Sequence, residues 1–174
     1  MVHSEVSLAN IRILRDYAEI APDGAFVEIG VYQGGTAVWL AEIADYRDSP
    51  LYLYDTFEGM PFAGPLDGIP AGAFSETSLD QVKTLLPRAH LVPGVFPDSL
   101  IDMPPVSFVH ADCDQYESVK AVIDVMPSRM VENGVIYFDD YGSLQGATQA
   151  VEEAGDYVVL PNGKAIMRIT HVAH

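Results

Sequence analysis

The stretch VSFVHADCDQYESVKAVIDVMPSRMVENGVIYFDD, residues 106–140, decides the fold. Residues 106–111 are an apolar run of strand length, and residues 135–138 are a β-branched and aromatic one. Between them Val119, Val122, Ile123 and Met126 recur at helical spacing, so the stretch reads strand, helix, strand. A crossover of this length makes the two strands parallel. If they pair directly, their C-terminal ends lie about 4.8 Å apart on one edge of a sheet. Each strand ends in acid, Asp112 and Asp114 after the first, Asp139 and Asp140 after the second. Strand ends and helix caps favour aspartate in any protein, but carboxylates gathered at two adjacent strand ends repel one another unless a proton or a cation lies among them. An oxygen-only donor set favours a hard divalent ion such as Mg²⁺ over zinc.

The 174-residue length suits a single domain that buries roughly 70% of its unfolded surface. A hydrophobic content of 49% and a mean hydropathy of +0.14 fit a well-packed globule. Nine basic residues against 25 acidic ones give a net charge of −16, which repels a phosphate backbone and argues against a nucleic-acid partner. The surplus serves solubility and would also draw a cationic ligand toward an acidic crevice. The single cysteine, Cys113, excludes an internal disulfide and a multi-cysteine zinc site. Its aspartate neighbours disfavour the thiolate, so it is a poor nucleophile. No leader pattern and no long apolar run stands out, and the expectation is a soluble, cytoplasmic protein with no membrane partner.

Along the chain, residues 6–20 carry Leu8, Ile11, Leu14, Tyr17 and Ala18 at helical spacing until Pro22-Asp23-Gly24 stops the run. Residues 25–29 form a short buried strand. The turn after it, Glu28-Ile29-Gly30-Val31-Tyr32-Gln33-Gly34-Gly35-Thr36, leads into a helix through Ala44. Its glycines let main chain approach a ligand, and Thr36 with the free N–H groups at the helix start can hold a carboxylate. The Gly30 and Gly34 spacing departs from the dinucleotide fingerprint. Residues 51–54 form a second strand ending in Asp55, where a doubly wound fold hydrogen-bonds ribose hydroxyls, and the expected ligand is a nucleoside without a phosphate clamp. Residues 56–74 are a Pro- and Gly-rich ordered loop. Ser75 caps a helix to Leu86, and residues 90–95 form a third strand. Beyond it Phe96 is placed either against a purine ring or in the core. Residues 143–153 are helical, and residues 157–160 and 165–169 meet as a hairpin. The expected order is five βα units and a terminal hairpin.

Glu28-x-Gly30-Val31-x-x-Gly34-Gly35, Asp55-Thr56-Phe57-Glu58-Gly59-Met60-Pro61, Asp112-x-Asp114-x-Tyr116-x-Ser118 and Asp139-Asp140-Tyr141 together resemble the macrocin O-methyltransferase family, in that family's order. Residues 28–38 with Asp112, Asp139 and Asp140 are also similar to the more distant catechol O-methyltransferase family. The resemblance implies a class I methyltransferase fold, α/β and doubly wound, with seven mostly parallel strands and an antiparallel terminal hairpin. It implies Mg²⁺-assisted transfer of a methyl group from S-adenosylmethionine to a hydroxyl of a small molecule, a sugar or vicinal diol, in natural-product biosynthesis. By motif position Asp112, Asp139 and Asp140 would hold the metal and Asp114 would be the general base. Glu28, Gly30, Tyr32, Gly34, Thr36, Asp55, Thr56, Phe57, Phe96 and Asp112 would surround the cofactor.

Members that methylate macrolide or aminocoumarin sugars usually carry a longer N-terminal portion that shapes the acceptor pocket. Here the loop 62–74 acting as a lid, or a partner subunit of a homo-oligomer, would complete that pocket. His110 is expected to be a satisfied core histidine turned away from Asp112. His3, His90, His171 and His174 show no ligand spacing, and His171-Val172-Ala173-His174 is read as a frayed end. Two competing readings are an aspartyl-nucleophile phosphatase, which needs its Asp pair after the first strand and a phosphate-holding lysine, and a module that binds the cofactor without turnover.

Overall fold

The computed structural model describes residues 6–170, so His3, His171 and His174 lie outside the described residues. Helix α1, Leu8–Ile20, starts at Ser7, whose side chain accepts the Asn10 N–H at 3.3 Å. It turns Ile11, Leu14 and Ala18 inward. Then follow β1 (Ala25–Ile29), α2 (Ala37–Tyr46), β2 (Leu51–Asp55), α3 (Leu79–Leu85), β3 (His90–Pro93), β4 (Val106–Ala111) and α4 (Tyr116–Val125). A short 3₁₀ turn, Met126–Arg129, leads into β5 (Met130–Phe138), followed by α5 (Gln145–Ala154), β6 (Val158–Val159) and β7 (Ala165–Arg168). Gly155 ends α5 at φ 76°, a left-handed cap that glycine adopts without steric cost.

The seven strands form one sheet in the order β3-β2-β1-β4-β5-β7-β6, with β7 antiparallel to both β5 and β6. Strands β1 and β4 are buried along their whole length, as apolar runs covered on both faces should be. One core layer packs Val27, Val109 and Ile136 against Val119, Val122 and Val151 of α4 and α5. The other packs Phe26, Phe108 and Tyr137 against Leu14, Leu40 and Ile43 of α1 and α2.

The direct parallel pairing of β4 with β5 agrees with the reading of residues 106–140, with Ala111 opposite Phe138. The expectation of five βα units is corrected. Residues 94–105 cross from β3 to β4 without a helix, because Pro97, Pro104 and Pro105 fall where helix hydrogen bonds would be required. Strand β5 also begins at Met130 rather than at Val135, and α3 starts at Leu79 rather than near Ser75. No helix among the described residues is long and apolar enough to cross a membrane.

Candidate active site

The C-terminal ends of β1 to β4 open onto a cleft enclosing about 830 Å³ of empty space that includes open solvent. Strand β1 delivers Gly30 and Tyr32, and β2 delivers Asp55 and Thr56. Phe96 comes from the loop after β3, and Asp112, Cys113, Asp114 and Gln115 come from the turn after β4.

The turns are locked to one another by main-chain donors. Asp55 Oδ2 accepts the N–H groups of Val31 and Tyr32 at 2.7 and 2.8 Å, and its Oδ1 accepts the Phe57 N–H at 2.7 Å. Of about four acceptor positions on a carboxylate, these bonds leave roughly one for a ligand. At φ 90°, Gly30 sits so close to the turn after β4 that an added Cβ would lie 1.8 Å from the Asp112 carbonyl oxygen. Tyr32, Phe57 and Asp114, each just past a strand end, adopt left-handed φ values of 49°, 54° and 62°. Non-glycine residues rarely adopt that region, and such strain clusters at functional sites.

Beside the cleft, Asp112, Asp139 and Asp140 offer carboxylate oxygens that all lie within 4.8 Å of one another. The electrostatics register the crowding. Burial, then Asp140 and Asp139, push the Asp114 carboxyl up to about 8. Burial and Asp139 raise Asp140 to about 6 against the pull of the Asp114 N–H. Burial also raises Asp112 well above the ordinary carboxylate range, against the opposing charge of His110. Asp139 goes the other way. Burial works against its charge, but His110 and then Lys164 outweigh it and hold the carboxyl low. Burial raises the Cys113 thiol strongly, and Asp140 and Asp114 add to the effect, so this cysteine stays a thiol.

The loop after β2 lies against the same edge. Asp67 accepts the Gly64 N–H and, with its other oxygen, the Tyr116 N–H that opens α4, each at 2.8 Å. Gln115 donates its side-chain amide to the Phe62 carbonyl, and Gln33 donates to Glu76 O at 3.0 Å. Met60, Pro61 and Phe74 of this loop form one wall of the cleft.

Six of the sequence-expected cofactor residues, Gly30, Tyr32, Asp55, Thr56, Phe96 and Asp112, line the cleft together with Asp114. Four stand outside its lining. Glu28 is buried within the sheet against His110. Gly34 faces Leu85 and Val82 of α3, Thr36 is the buried N-cap of α2, and Phe57 packs into the α1–α2 layer. Phe96 serves both suggested roles, since it lines the cleft and meets Tyr54 edge-on at 5.7 Å.

The expected orientation of His110 is overturned. Positions two apart on a strand share a face, and His110, Glu28 and Asp112 have ligand-type atoms within 4.8 Å of one another. Sequence reading missed Lys164, Gln115 and Asp67. Lys164 arrives because Ala165 pairs with Phe138, a register between distant segments that no local pattern announces. Gln115 and Asp67 act through contacts across the sheet edge, equally silent in the sequence. Lys120, the lysine nearest the Asp112-x-Asp114 motif, is committed to Asp124 on α4 at 2.8 Å, and the acid pair follows β4 rather than β1. A phosphatase centre needs the opposite on both counts.

The family model described as Macrocin-O-methyltransferase matches residues 11–161. The chain belongs to the macrocin O-methyltransferase family. It is an O-methyltransferase. Among solved structures, the O-methyltransferase NovP superposes with a TM-score of 0.82 at 21% identity, covering 97% of this chain and 83% of its own. The calicheamicin methyltransferase CalS11 follows with a TM-score of 0.71 at 19% identity, covering 92% and 77%. An O-methyltransferase from Bacillus cereus in complex with SAH gives 0.61 at 17% identity, covering 96% and 83%. At such identities the likeness is one of fold. Curated proteins contain no sequence match.

Proposed function

We propose that this macrocin-family enzyme transfers a methyl group from S-adenosylmethionine to a hydroxyl of a small molecule, a sugar or vicinal diol, with a divalent cation of the Mg²⁺ class at Asp112, Asp139 and Asp140. The observation that carries this reading is the approach of these three carboxylates within 4.8 Å at the lip of a cleft lined by Gly30, Tyr32, Asp55 and Phe96. The donor set fits a hard cation. It is all oxygen, it is largely sequestered from water, burial and neighbouring carboxylates raise the proton affinity of Asp112 and Asp140, and Asp139 Oδ1 is buried without a hydrogen-bond partner. A diol would suit such a centre because its two adjacent oxygens are further hard donors for the cation.

Bound there, the cation would stabilise an oxygen anion, and the cofactor would supply a methyl group already activated for transfer. The protein's own residues do the rest. The Asp55-locked turn and the walls at Tyr32, Thr56 and Phe96 would hold the nucleoside. Met60, Pro61 and Phe74 would exclude water, and Asp114 would take the acceptor's hydroxyl proton onto its carboxylate. A cation bound nearby would favour the ionised Asp114 carboxylate, which otherwise stands at about 8, and so fit it to accept a proton near neutrality. CalS11, described as a TDP-rhamnose 3'-O-methyltransferase of calicheamicin biosynthesis, is compatible with a sugar acceptor here, and the absence of a nucleic-acid partner accords with the net charge of −16.

The test is labelled-methyl transfer from S-adenosylmethionine to a panel of sugars and catechols, with and without Mg²⁺. Turnover that needs the cation, and that Asp139→Asn abolishes while S-adenosylhomocysteine binding persists, is the expected result. Background transfer beside tight cofactor binding would show a module without turnover, and undiminished activity of Asp139→Asn would refute the metal assignment.

A further inference from the structure

Glu28 on β1, His110 on β4 and Tyr137 on β5 stand side by side in register. Asp139 lies two positions beyond Tyr137, so regular alternation brings it out on the same face. His110 Nδ1 lies 2.9 Å from Glu28 Oε1, and both side chains are sealed from solvent. This contact fixes one edge of the ring from β1. The other edge points Nε2 toward Asp139 Oδ1 at 3.9 Å, an ion-pair separation rather than a hydrogen bond. Neither of those two buried atoms has a hydrogen-bond partner. Leaving such groups unmet is costly, and a hydrogen bond between the two would satisfy both. The second oxygen, Oδ2, is 3.8 Å from Lys164 Nζ, and Ser143 Oγ holds that ammonium at 2.8 Å. Both oxygens of Asp139 therefore have a protein group poised over them from inside the fold, unlike those of Asp140, whose Oδ2 takes a main-chain N–H.

We propose that His110 is a positioning residue for Asp139: Glu28 holds the ring, and the Nε2–H orients the carboxylate that Asp139 presents beside those of Asp112 and Asp140. This rests on the cation reading above. A buried outer partner of a metal-ligating group commonly changes metal affinity by about 10- to 100-fold. That function explains why an imidazole sits in a strand that is otherwise apolar apart from Ser107.

Two substitutions separate the two edges of the ring. A glutamine amide nitrogen reaches the place of Nε2, whereas an asparagine amide reaches only that of Nδ1. Mg²⁺ is titrated calorimetrically into the protein saturated with S-adenosylhomocysteine, and melting temperature without metal monitors the fold. The expected result is that His110→Gln binds Mg²⁺ within about threefold of wild type while His110→Asn binds about 10- to 100-fold more weakly, both retaining S-adenosylhomocysteine. Equal affinities in the two variants, whether both lowered or both intact, overturn the role. If His110→Asn does not fold, Glu28→Gln replaces it. That variant leaves the crevice untouched and weakens the grip on the ring, and unchanged Mg²⁺ affinity in it overturns the proposal. A wild-type protein that takes up no Mg²⁺ removes the cation reading itself, an outcome separate from any difference among the variants.

Discussion

The main-chain N–H of Asp114 donates to Oδ2 of Asp140 at 2.9 Å, joining the turn after β4 to the turn after β5. Sheet pairing brings the two strand ends together, and this bond fixes their acidic tips at one separation. An asparagine at position 140 can still accept the N–H through its carbonyl oxygen but carries no charge. Asp140→Asn is therefore expected to keep its melting temperature within a few degrees and to lose Mg²⁺ affinity by tenfold or more. Asp140→Leu should lose both, by about 1–3 kcal/mol in stability because a buried donor is left unmet. Thermal melts and Mg²⁺ calorimetry of the pair provide the check, and equal Mg²⁺ binding by wild type and Asp140→Asn would count against a charge-based role.

Asp114 itself combines two demands. Its backbone is left-handed at φ 62°, which asparagine tolerates better than most side chains and leucine does not. Asp114→Asn should fold like wild type, bind S-adenosylhomocysteine equally well, and lose about 10²- to 10⁴-fold in kcat, the usual span for a general base. Asp114→Leu should in addition lose about 1–2 kcal/mol of stability to backbone strain. Single-turnover kinetics at saturating cofactor separate the chemical step from binding, and a kcat for Asp114→Asn within tenfold of wild type would assign the proton to another group.

The crowded carboxylates give the metal-free protein an unusual pH dependence. Asp114 rises from 3.8 to about 8 and Asp140 from 3.8 to about 6 in the fold, and His110 is also raised, its burial outweighed by Asp139 and Glu28. A group whose folded pKa is raised contributes stability that is complete below its unfolded pKa and is lost as pH climbs through the folded one. The contribution of Asp140 is therefore lost between about pH 4 and pH 6 and that of Asp114 between about pH 4 and pH 8, while that of His110 begins to fall only above about pH 6.5, each by up to about 1.4 kcal/mol per pH unit for the proton involved. The metal-free melting temperature is expected to fall from pH 5.5 to pH 8, and the rise produced by millimolar Mg²⁺ to be larger at pH 8 than at pH 5.5. Asp139, held low by His110 and Lys164, loses its contribution only at acidic pH outside this window. A melting temperature that climbs over the same range would contradict the crowding.

How far the site could be read from the chain depends on the range of each interaction. The β4–α4–β5 unit and its aspartates were legible because period, length and strand-end acid all lie within one continuous stretch. Gly30 was legible as a special position but for the wrong neighbour. The backbone it approaches most closely is that of Asp112, across the sheet. The total of five βα units was one too many, because the proline-rich crossover from β3 to β4 holds no helix. Lys164 beside Asp139, and Glu28 beside His110, depend on register between strands far apart in sequence, which no window of neighbouring residues contains.

The loop after β2 yields the last expectation. Asp67 spans it, with one oxygen on the Gly64 N–H and the other on the first N–H of α4, and the Gln115 side chain holds Phe62 from below. Residues 60–61 and Phe74 in this loop wall the cleft, so the latch sets how well the cleft is closed. An aspartate at a helix N-terminus is also favoured by the helix dipole, by about 0.3–1 kcal/mol. Asp67→Ala removes the bridge without touching the carboxylate crevice. Its expected signature is faster amide exchange across residues 60–74, a several-fold weaker grip on S-adenosylhomocysteine through quicker release, and unaltered exchange in β1, β4 and β5. Asp67→Asn, which keeps one acceptor oxygen, should fall between that variant and wild type. Exchange that accelerates equally in the central strands would mean that Asp67 supports the whole fold, and exchange that changes nowhere would mean that Gln115 and Gln33 hold the loop without it.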